Sequence, residues 1–399
     1  MSAQAAVSDT SAASSALLAT YPAFPFAIES GQGERIEAQG GRSYLDLYGG
    51  HCVALTGHAH PAVVSAVNEQ MQTLPFYSMA ARLPIRDQAA QGLANFAPAG
   101  LDRVFFCNSG AEANENALRL AAVITGRSRF LAFDGAFHGR SQLALSVSDV
   151  PGLHARAPQL QAPVDRLPFG DMAALEAADL DAVAAVIVEP IQSMAGVRGA
   201  ATAWFQALRQ RCDAAGTLLI FDEIQTGMGR LGTPFAADLH GVTPDLLTTA
   251  KGLASGFPMA ALLMRQPVAD ALEPGDLGST FGGGPAACAA LQATLAVIEQ
   301  EQLMTQARSA ESALRRGLAG SVVRQVRGVG LLLGLDAGDQ APALKDWLLA
   351  QGILVGASKD PAVLRLMPPL NLSPQAISTF IAAVHGFSGT GPGKEDVSS

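Results

Sequence analysis

The chain has 399 residues, 49% of them hydrophobic and 15% charged, with 41 glycines; it can bury a sizeable core and is not a disordered tail protein. Twenty-six basic residues against 35 acidic ones leave a formal net charge of −9, which offers no electrostatic footprint for nucleic acid or an anionic membrane. A small-molecule substrate fits that balance better.

In chain order, residues 1–20 are small and polar, without a basic start or an apolar run of signal-peptide length, and together with residues 388–399 they read as mobile ends. No apolar run approaches the roughly 18 residues that a membrane span needs. The folded part therefore covers about 21–387. Within it, short β-branched or aromatic runs alternate with longer Ala/Leu stretches, the pattern of a mostly parallel sheet with helices on both faces. The runs RVFFC (103–107), RFLAF (129–133), VAAVIV (183–188), TLLIF (217–221), LLTT (246–249) and MAALLM (259–264) predict six strands. A Gly-rich stretch after 275 leads into a helical pattern over 286–302, then VRGVGLLLGL, a further helix and LRLMPPL, which predict a second, α+β domain. Cysteines 52, 107, 212 and 288 are isolated, so neither a disulfide framework nor a metal site is expected, and a reducing cytoplasm fits.

In an open α/β sheet, ligands bind beyond the carboxyl ends of the strands. The residues there are Asn108-Ser109-Gly110, Phe137-His138 past Asp134, Glu189, Asp222 and Lys251. Lys251 is one of only four lysines and has small or apolar neighbours; a buried amine is pushed toward its neutral, nucleophilic form, although a strand-end lysine can also simply reach solvent. Asp222 ends a strand, where an ionised carboxyl needs a cationic partner such as a protonated pyridine nitrogen, or else caps the next turn. Ser109 and Gly110 open a helix whose free N–H groups make an anion seat, with a plain N-cap as the compatible alternative. Phe137 offers a flat ring to a planar cofactor or to the core. The GMGRLG run (227–232) matches the dinucleotide fingerprint, but five residues separate it from the strand and no convincing helix follows, so the tight strand–turn–helix geometry is missing.

These residues resemble the subgroup III aminotransferases of fold type I, which use pyridoxal 5'-phosphate, and among them the acetylornithine/ornithine aminotransferases. The resemblance runs from YLDLYGGHCVALTGHAHP (44–61) through RVFFCNSGAEANENALRLA, FDGAFHGRS, AVIVEPIQ, LLIFDEIQTGMGRLG, PDLLTTAKGLASGFP and GSTFGGGPAACA to LRLMPPL. It implies a large cofactor-binding domain (59–275) with a mostly parallel seven-stranded sheet, and a smaller α+β domain built from segments 21–58 and 276–387. Lys251 is implied to bond the cofactor aldehyde and carry the proton, Asp222 to pair with the pyridinium, and Gln225 to meet the ring hydroxyl. Ser109, Gly110 and Ala111 would hold the phosphate, and Phe137 would cover the ring with His138 beside it. Thr280 would reach the phosphate of the neighbouring subunit, implying a homodimer with shared sites.

On the substrate side, the resemblance gives Arg365 the α-carboxylate of glutamate and Arg140 the carboxylate far from the reacting amine. Glu189 would pair with Arg365 while an ω-amine is bound, and His51 and Ser279 would line the pocket. The implied reaction moves a terminal amino group from an ornithine-like donor, N-acetylornithine first, to 2-oxoglutarate, which places it in arginine biosynthesis. Ornithine, 4-aminobutyrate, an acylated lysine or a secondary-metabolite amine are the alternative donors, and an aminomutase or decarboxylase is the rival on the same cofactor. The departures bear on the donor: Ser78-Met79-Ala80-Ala81 replaces a Ser-Asn-Leu-aromatic wall, His51 replaces an aromatic or aliphatic residue, and Ser193-Met194-Ala195 replaces Gly-Glu-Gly.

Overall fold

The computed structural model describes residues 16–18, 20, 21 and 23–389; the expected mobile ends lie almost entirely outside them. Seven strands form the central sheet: β1 (Arg103–Cys107), β2 (Arg129–Phe133), β3 (Val164–Leu167), β4 (Val183–Val188), β5 (Leu218–Asp222), β6 (Leu246–Thr249) and β7 (Ala260–Met264). Their order across the sheet is β1-β7-β6-β5-β4-β2-β3, and only β7 runs against the others. The mixed α/β fold and its seven-stranded, mostly parallel sheet are as expected. Strands β4 to β7 are buried on both faces, which is why they read as unbroken apolar runs. Alternate residues feed two cores. Val186, Val188, Leu219 and Phe221 face Trp204, Phe205 and Leu208, whereas Ala185, Ile187, Ile220 and Leu262 face Ala117, Leu118 and Ala121.

Strand β3 was not among the six expected. It is the edge strand, half-buried throughout, and its sequence VDRL carries Asp165, whose carboxylate pairs with Arg129 of β2 at 2.7 Å. Charged residues are ordinary on such an edge and erase the hydrophobic signal. Strand β5 is displaced by one residue from its expected span and includes Asp222 itself; Thr217 N donates to Cys212 O instead of joining the ladder, and its hydroxyl donates to Leu180 O and Val183 O.

Helix α1 (Gly110–Thr125) begins at Ser109, whose hydroxyl accepts from Glu112 N at 3.2 Å, and stops at Gly126, which takes φ +66. The long helix α2 occupies Pro285–Gln300, against 286–302 expected, and packs on the helices Pro61–Thr73 and Pro84–Phe96. Two four-stranded sheets and the short hairpin of Ile191–Gln192 with Arg198–Gly199 accompany the central sheet among the described residues. Ile28–Gln32, Arg35–Ala38 and Arg42–Asp46 form antiparallel strands, joined in parallel by Ile353–Leu354 from the other end of the sequence. Gln325–Val329, Leu332–Asp336, Val363–Leu366 and Gly356–Ala357 form the second, fully antiparallel sheet. No helix among the described residues is long and apolar enough to cross a membrane.

The loop between β7 and α2 is fitted closely to β1. A Cβ at Gly282 would lie 2.1 Å from the Phe106 carbonyl oxygen, a backbone atom that cannot rotate away. Gly282→Ala is accordingly expected to destabilise the chain by about 2 kcal/mol or more, measured by urea denaturation.

Candidate active site

Five strand ends deliver side chains to one cavity of about 510 Å³. Ser109, Gly110 and Ala111 follow β1, Phe137, His138 and Arg140 follow β2, Glu189 follows β4, Asp222 and Gln225 come from β5 and its turn, and Lys251 follows β6; all of them line it. The convergence is a property of the topology, since parallel strands end at the same edge.

Asp222 is 4% exposed, and its donors come from several elements. Asn114 of α1 donates to Oδ2 at 2.7 Å, His138 Nδ1 sits 2.7 Å from the same oxygen, and Ile224 N donates to Oδ1 at 3.1 Å. Asn114 also donates to His138 O and accepts from Thr248 Oγ1 of β6, both at 2.7 Å. The network fixes Asp222 and the His138 ring relative to the sheet. Two polar atoms on this wall, His138 Nε2 and Gln225 Oε1, are buried without a partner.

Lys251 adopts φ +48, a left-handed conformation that a side-chain-bearing residue holds only under constraint. Removal from water pushes its amine below the usual lysine value; Cys52, Asp222 and Glu189 pull it back up, and Arg365 pushes it further down. Opposite lies a left-handed run from Gly49 to Cys52, with φ between +56 and +70 at all four residues. Asp46 anchors the run, accepting from the N–H groups of Tyr48, Gly49 and Gly50. His51 shares a hydrogen bond with the Tyr48 hydroxyl and is held near pKa 4, first by burial and then by the charges of Lys251 and Arg365, so its imidazole is neutral at neutral pH.

The helix start forms the anion seat. Among the described residues, the N–H groups of Gly110 and Ala111 meet no hydrogen-bond acceptor, and a Cβ at Gly110 would come 2.5 Å from Ile224 Cδ1. Glu112 turns away from this seat and accepts from Asn108 N at 2.8 Å and from Ser279 Oγ at 2.9 Å. A seat for a phosphate, a carboxylate fixed at the opposite wall, a lysine and two unpartnered polar atoms suit a planar phosphorylated aldehyde with a ring nitrogen.

Relatives match that reading. The class-III aminotransferase profile covers residues 18–386. The chain is 42% identical over 366 residues to an acetylornithine aminotransferase of Methanopyrus kandleri, covering 91% of this chain and 94% of that one, and 42% identical to one of Streptomyces coelicolor, covering 89% of each. The ornithine aminotransferase structure of Toxoplasma gondii superposes with a TM-score of 0.85 at 31% identity, covering 92% of this chain and 90% of that one. The chain is a class III aminotransferase. Its cofactor is pyridoxal 5'-phosphate, and its substrates are an amino-group donor and the 2-oxoglutarate/glutamate pair.

In this aminotransferase the residues expected on the substrate side make the following contacts. Arg140 is exposed at the cavity, with its guanidinium 5.2 Å from the Tyr21 ring centroid and 5.7 Å from that of Phe137, and it donates to the Tyr21 hydroxyl. Arg365 and Glu189 do not pair. Arg365 donates to Ala357 O at 2.6 Å and to Ser193 Oγ at 3.0 Å, and Glu189 accepts from Phe137 N at 2.8 Å. In this structure each of the two is held by neutral groups. Ser279 is likewise a brace in this structure: it donates to Glu112 and accepts from Asn108 Nδ2, which leaves its hydroxyl no free proton for a substrate. Thr280 and the Ser78–Ala81 stretch are not on the wall of this chain's cavity; Thr280 and Met79 are exposed.

Several residues that shape the site escaped sequence reading. Asn114 is a polar residue in the apolar stripe of α1, a signal that was available. Glu223 accepts from Ala236 N and Ala237 N at 2.6 and 2.9 Å, closing the turn after β5. Arg86 ties Gly283 O to the carbonyls of Tyr77 and Ala81, and Arg230 of the GMGRLG run donates to Leu331 O and Pro368 O.

Burial raises the Glu189 carboxyl from 4.5 to about 7; Asp222 adds to the rise, and His138, the Phe137 N–H and Lys251 oppose it. An acid with a raised native pKa stabilises the fold below its unfolded pKa and loses that contribution as pH climbs through the native one. Glu189→Gln is therefore expected to gain stability relative to the parent apo-protein between about pH 4.5 and pH 7, by on the order of 2 kcal/mol. Denaturation at pH 5 and pH 8 checks this; a pH-independent difference contradicts it.

Proposed function

We propose that the protein transfers the terminal amino group of N-acetylornithine to 2-oxoglutarate, giving the semialdehyde and glutamate. The observation that carries this reading is the placement of Arg140 at the exposed side of the cavity, with Lys251 on its inner wall. A guanidinium so placed reads a carboxylate remote from the reacting amine, which is where an ω-amine donor carries one. The named functions of the relatives, at 37–42% identity over roughly nine-tenths of the chain, support the same donor.

When bound, pyridoxal phosphate supplies an aldehyde that exchanges amino groups and a ring that accepts the electron pair released at the amine-bearing carbon. Ser109, Gly110 and Ala111 would hold the phosphate, Phe137 would cover the ring, and the Gln225 amide would meet the ring hydroxyl. Asp222, oriented by Asn114 and His138, keeps the ring nitrogen protonated. Lys251 would hold the aldehyde, and its amine, once free, would carry the proton between the amine-bearing carbon and the former aldehyde carbon across the intervening nitrogen. Arg365 then receives the α-carboxylate of glutamate or 2-oxoglutarate. Free ornithine is the second reading, favoured by the neutral Tyr48–His51 pair facing Lys251 and Arg365.

The reading extends to a cytoplasmic homodimer in which Thr280 serves the site of the neighbouring subunit. All four cysteines are buried and free, as a reducing compartment allows. Phe76 and Phe281, 39% and 65% exposed, meet with ring centroids 4.9 Å apart and planes tilted by 47° beside Thr280, an apolar patch suited to a second copy. The domain division at 59 and 276 belongs to the same reading and is supported by the separation of the large sheet from the two small ones.

Three outcomes are expected. Mixed in turn with N-acetylornithine, ornithine and 4-aminobutyrate, the holoenzyme loses its cofactor absorbance band fastest with the first; bleaching by glutamate alone would reject that donor. Lys251→Ala lowers turnover by at least roughly 10²–10⁴-fold, as loss of the proton carrier requires. In sedimentation, Phe281→Asp gives a monomer without activity, and an intact active dimer would refute the shared site.

A further inference from the structure

Arg365 and Glu189 are opposite charges, 2% and 6% exposed, and Glu189 is near enough to affect how tightly Arg365 holds its proton. Whenever Glu189 is ionised the two attract in this low-dielectric interior, yet Arg365 is hydrogen-bonded to neutral oxygens instead. On the Arg365 side, the strand neighbours are Gly334 and Gly356, which bring no side chain to the guanidinium. Among the described residues, Ser193 is the one side chain hydrogen-bonded to it, at 3.0 Å, and Ser193 itself has no exposed surface.

Ser193 is fixed by its surroundings. It follows strand Ile191–Gln192, which pairs with Arg198–Gly199, and its carbonyl accepts from Gly196 N at 3.3 Å and Val197 N at 3.2 Å. The next carbonyl, that of Met194, accepts from Lys359 N at 2.7 Å. The hairpin lies directly on the sheet that carries Arg365: a Cβ at Gly334 would come 2.9 Å from Val197 Cβ.

We propose that Ser193 is a positioning residue that holds the Arg365 guanidinium off Glu189, leaving it open to an incoming carboxylate. This rests on Arg365 being the carboxylate site. A neutral hydroxyl is a weaker partner than a carboxylate, so a substrate carboxylate displaces it without first breaking a buried ion pair. With the hydroxyl removed, Arg365 turns to Glu189, and each dicarboxylate must compete with that pairing. The donor, whose carboxylate goes to Arg140, does not meet this competition.

The test uses glutarate, a dicarboxylate that binds without reacting, on the holoenzyme. Ser193→Ala is expected to weaken glutarate binding in calorimetry and to raise the KM for 2-oxoglutarate by about five-fold or more. The rate of the donor half-reaction stays within about two-fold. Ser193→Thr keeps the hydroxyl and the parental values, and Glu189→Gln added to Ser193→Ala restores glutarate binding, because no carboxylate remains to capture Arg365. Parental glutarate binding by Ser193→Ala, or a defect that Glu189→Gln does not relieve, overturns the proposal. Arg365→Gln separates the two layers: if it leaves glutarate binding unchanged, the carboxylate-site reading falls, and if it abolishes binding while Ser193→Ala does nothing, only the tether falls.

Discussion

The Asp222 carboxylate is the constraint around which the rest of the site is arranged. A negative charge at the end of a central strand is costly to bury without donors. Here α1, the loop after β2 and the turn after β5 each supply one, and Asn114 links that set to β6 through Thr248. One buried charge thus registers a helix and three strand ends against each other. Among the described residues, the one basic side chain paired with Asp222 is His138. On the proposed reading, the protonated ring nitrogen of the cofactor would complete the balance of buried charge at this carboxylate.

The same logic covers the rest of the cavity. Lys251 is driven toward neutrality, Glu189 toward its protonated form, and Arg365 is held by neutral oxygens. Each group is kept away from the partner that would satisfy it most strongly. That arrangement costs stability in the empty protein, and ligands that bind only the folded state return it by mass action.

Sequence alone reached the residues at the strand ends because parallel strands buried on both faces are written as bare apolar runs, and the residue that follows each run stands out. RVFFC, VAAVIV and LLTT pointed to Ser109, Glu189 and Lys251 for that reason. The edge strand VDRL carries no such run and was silent. Asn114 stands at helical spacing with Ala117, Leu118 and Ala121 on the buried stripe of α1, a signal masked by the charged letters around it in AEANENALRL. The neutral contacts of Arg365 and Glu189 were out of reach for a different reason: they depend on Ser193 and Phe137 N, at distances that no local pattern encodes. Long-range polar contacts such as Arg86 to Gly283 are invisible for the same cause, since a surface arginine and a buried one are spelled alike.

The first sheet joins residues from opposite ends of the chain: Leu45 and Asp46 pair with Ile353 and Leu354, and Arg42 donates to Ala350 O across a separation of 308 residues. During synthesis, the strands near the amino terminus emerge early and must wait for almost the whole remaining chain before their edge is covered. Until then an unpaired strand edge is open to any passing polypeptide. The closing step of this sheet is therefore a non-local event that waits for Ile353 and Leu354. A chain interrupted before residue 353 would keep every residue of the cofactor wall and still leave this edge uncovered, which makes incomplete translation products of this protein natural clients for chaperones.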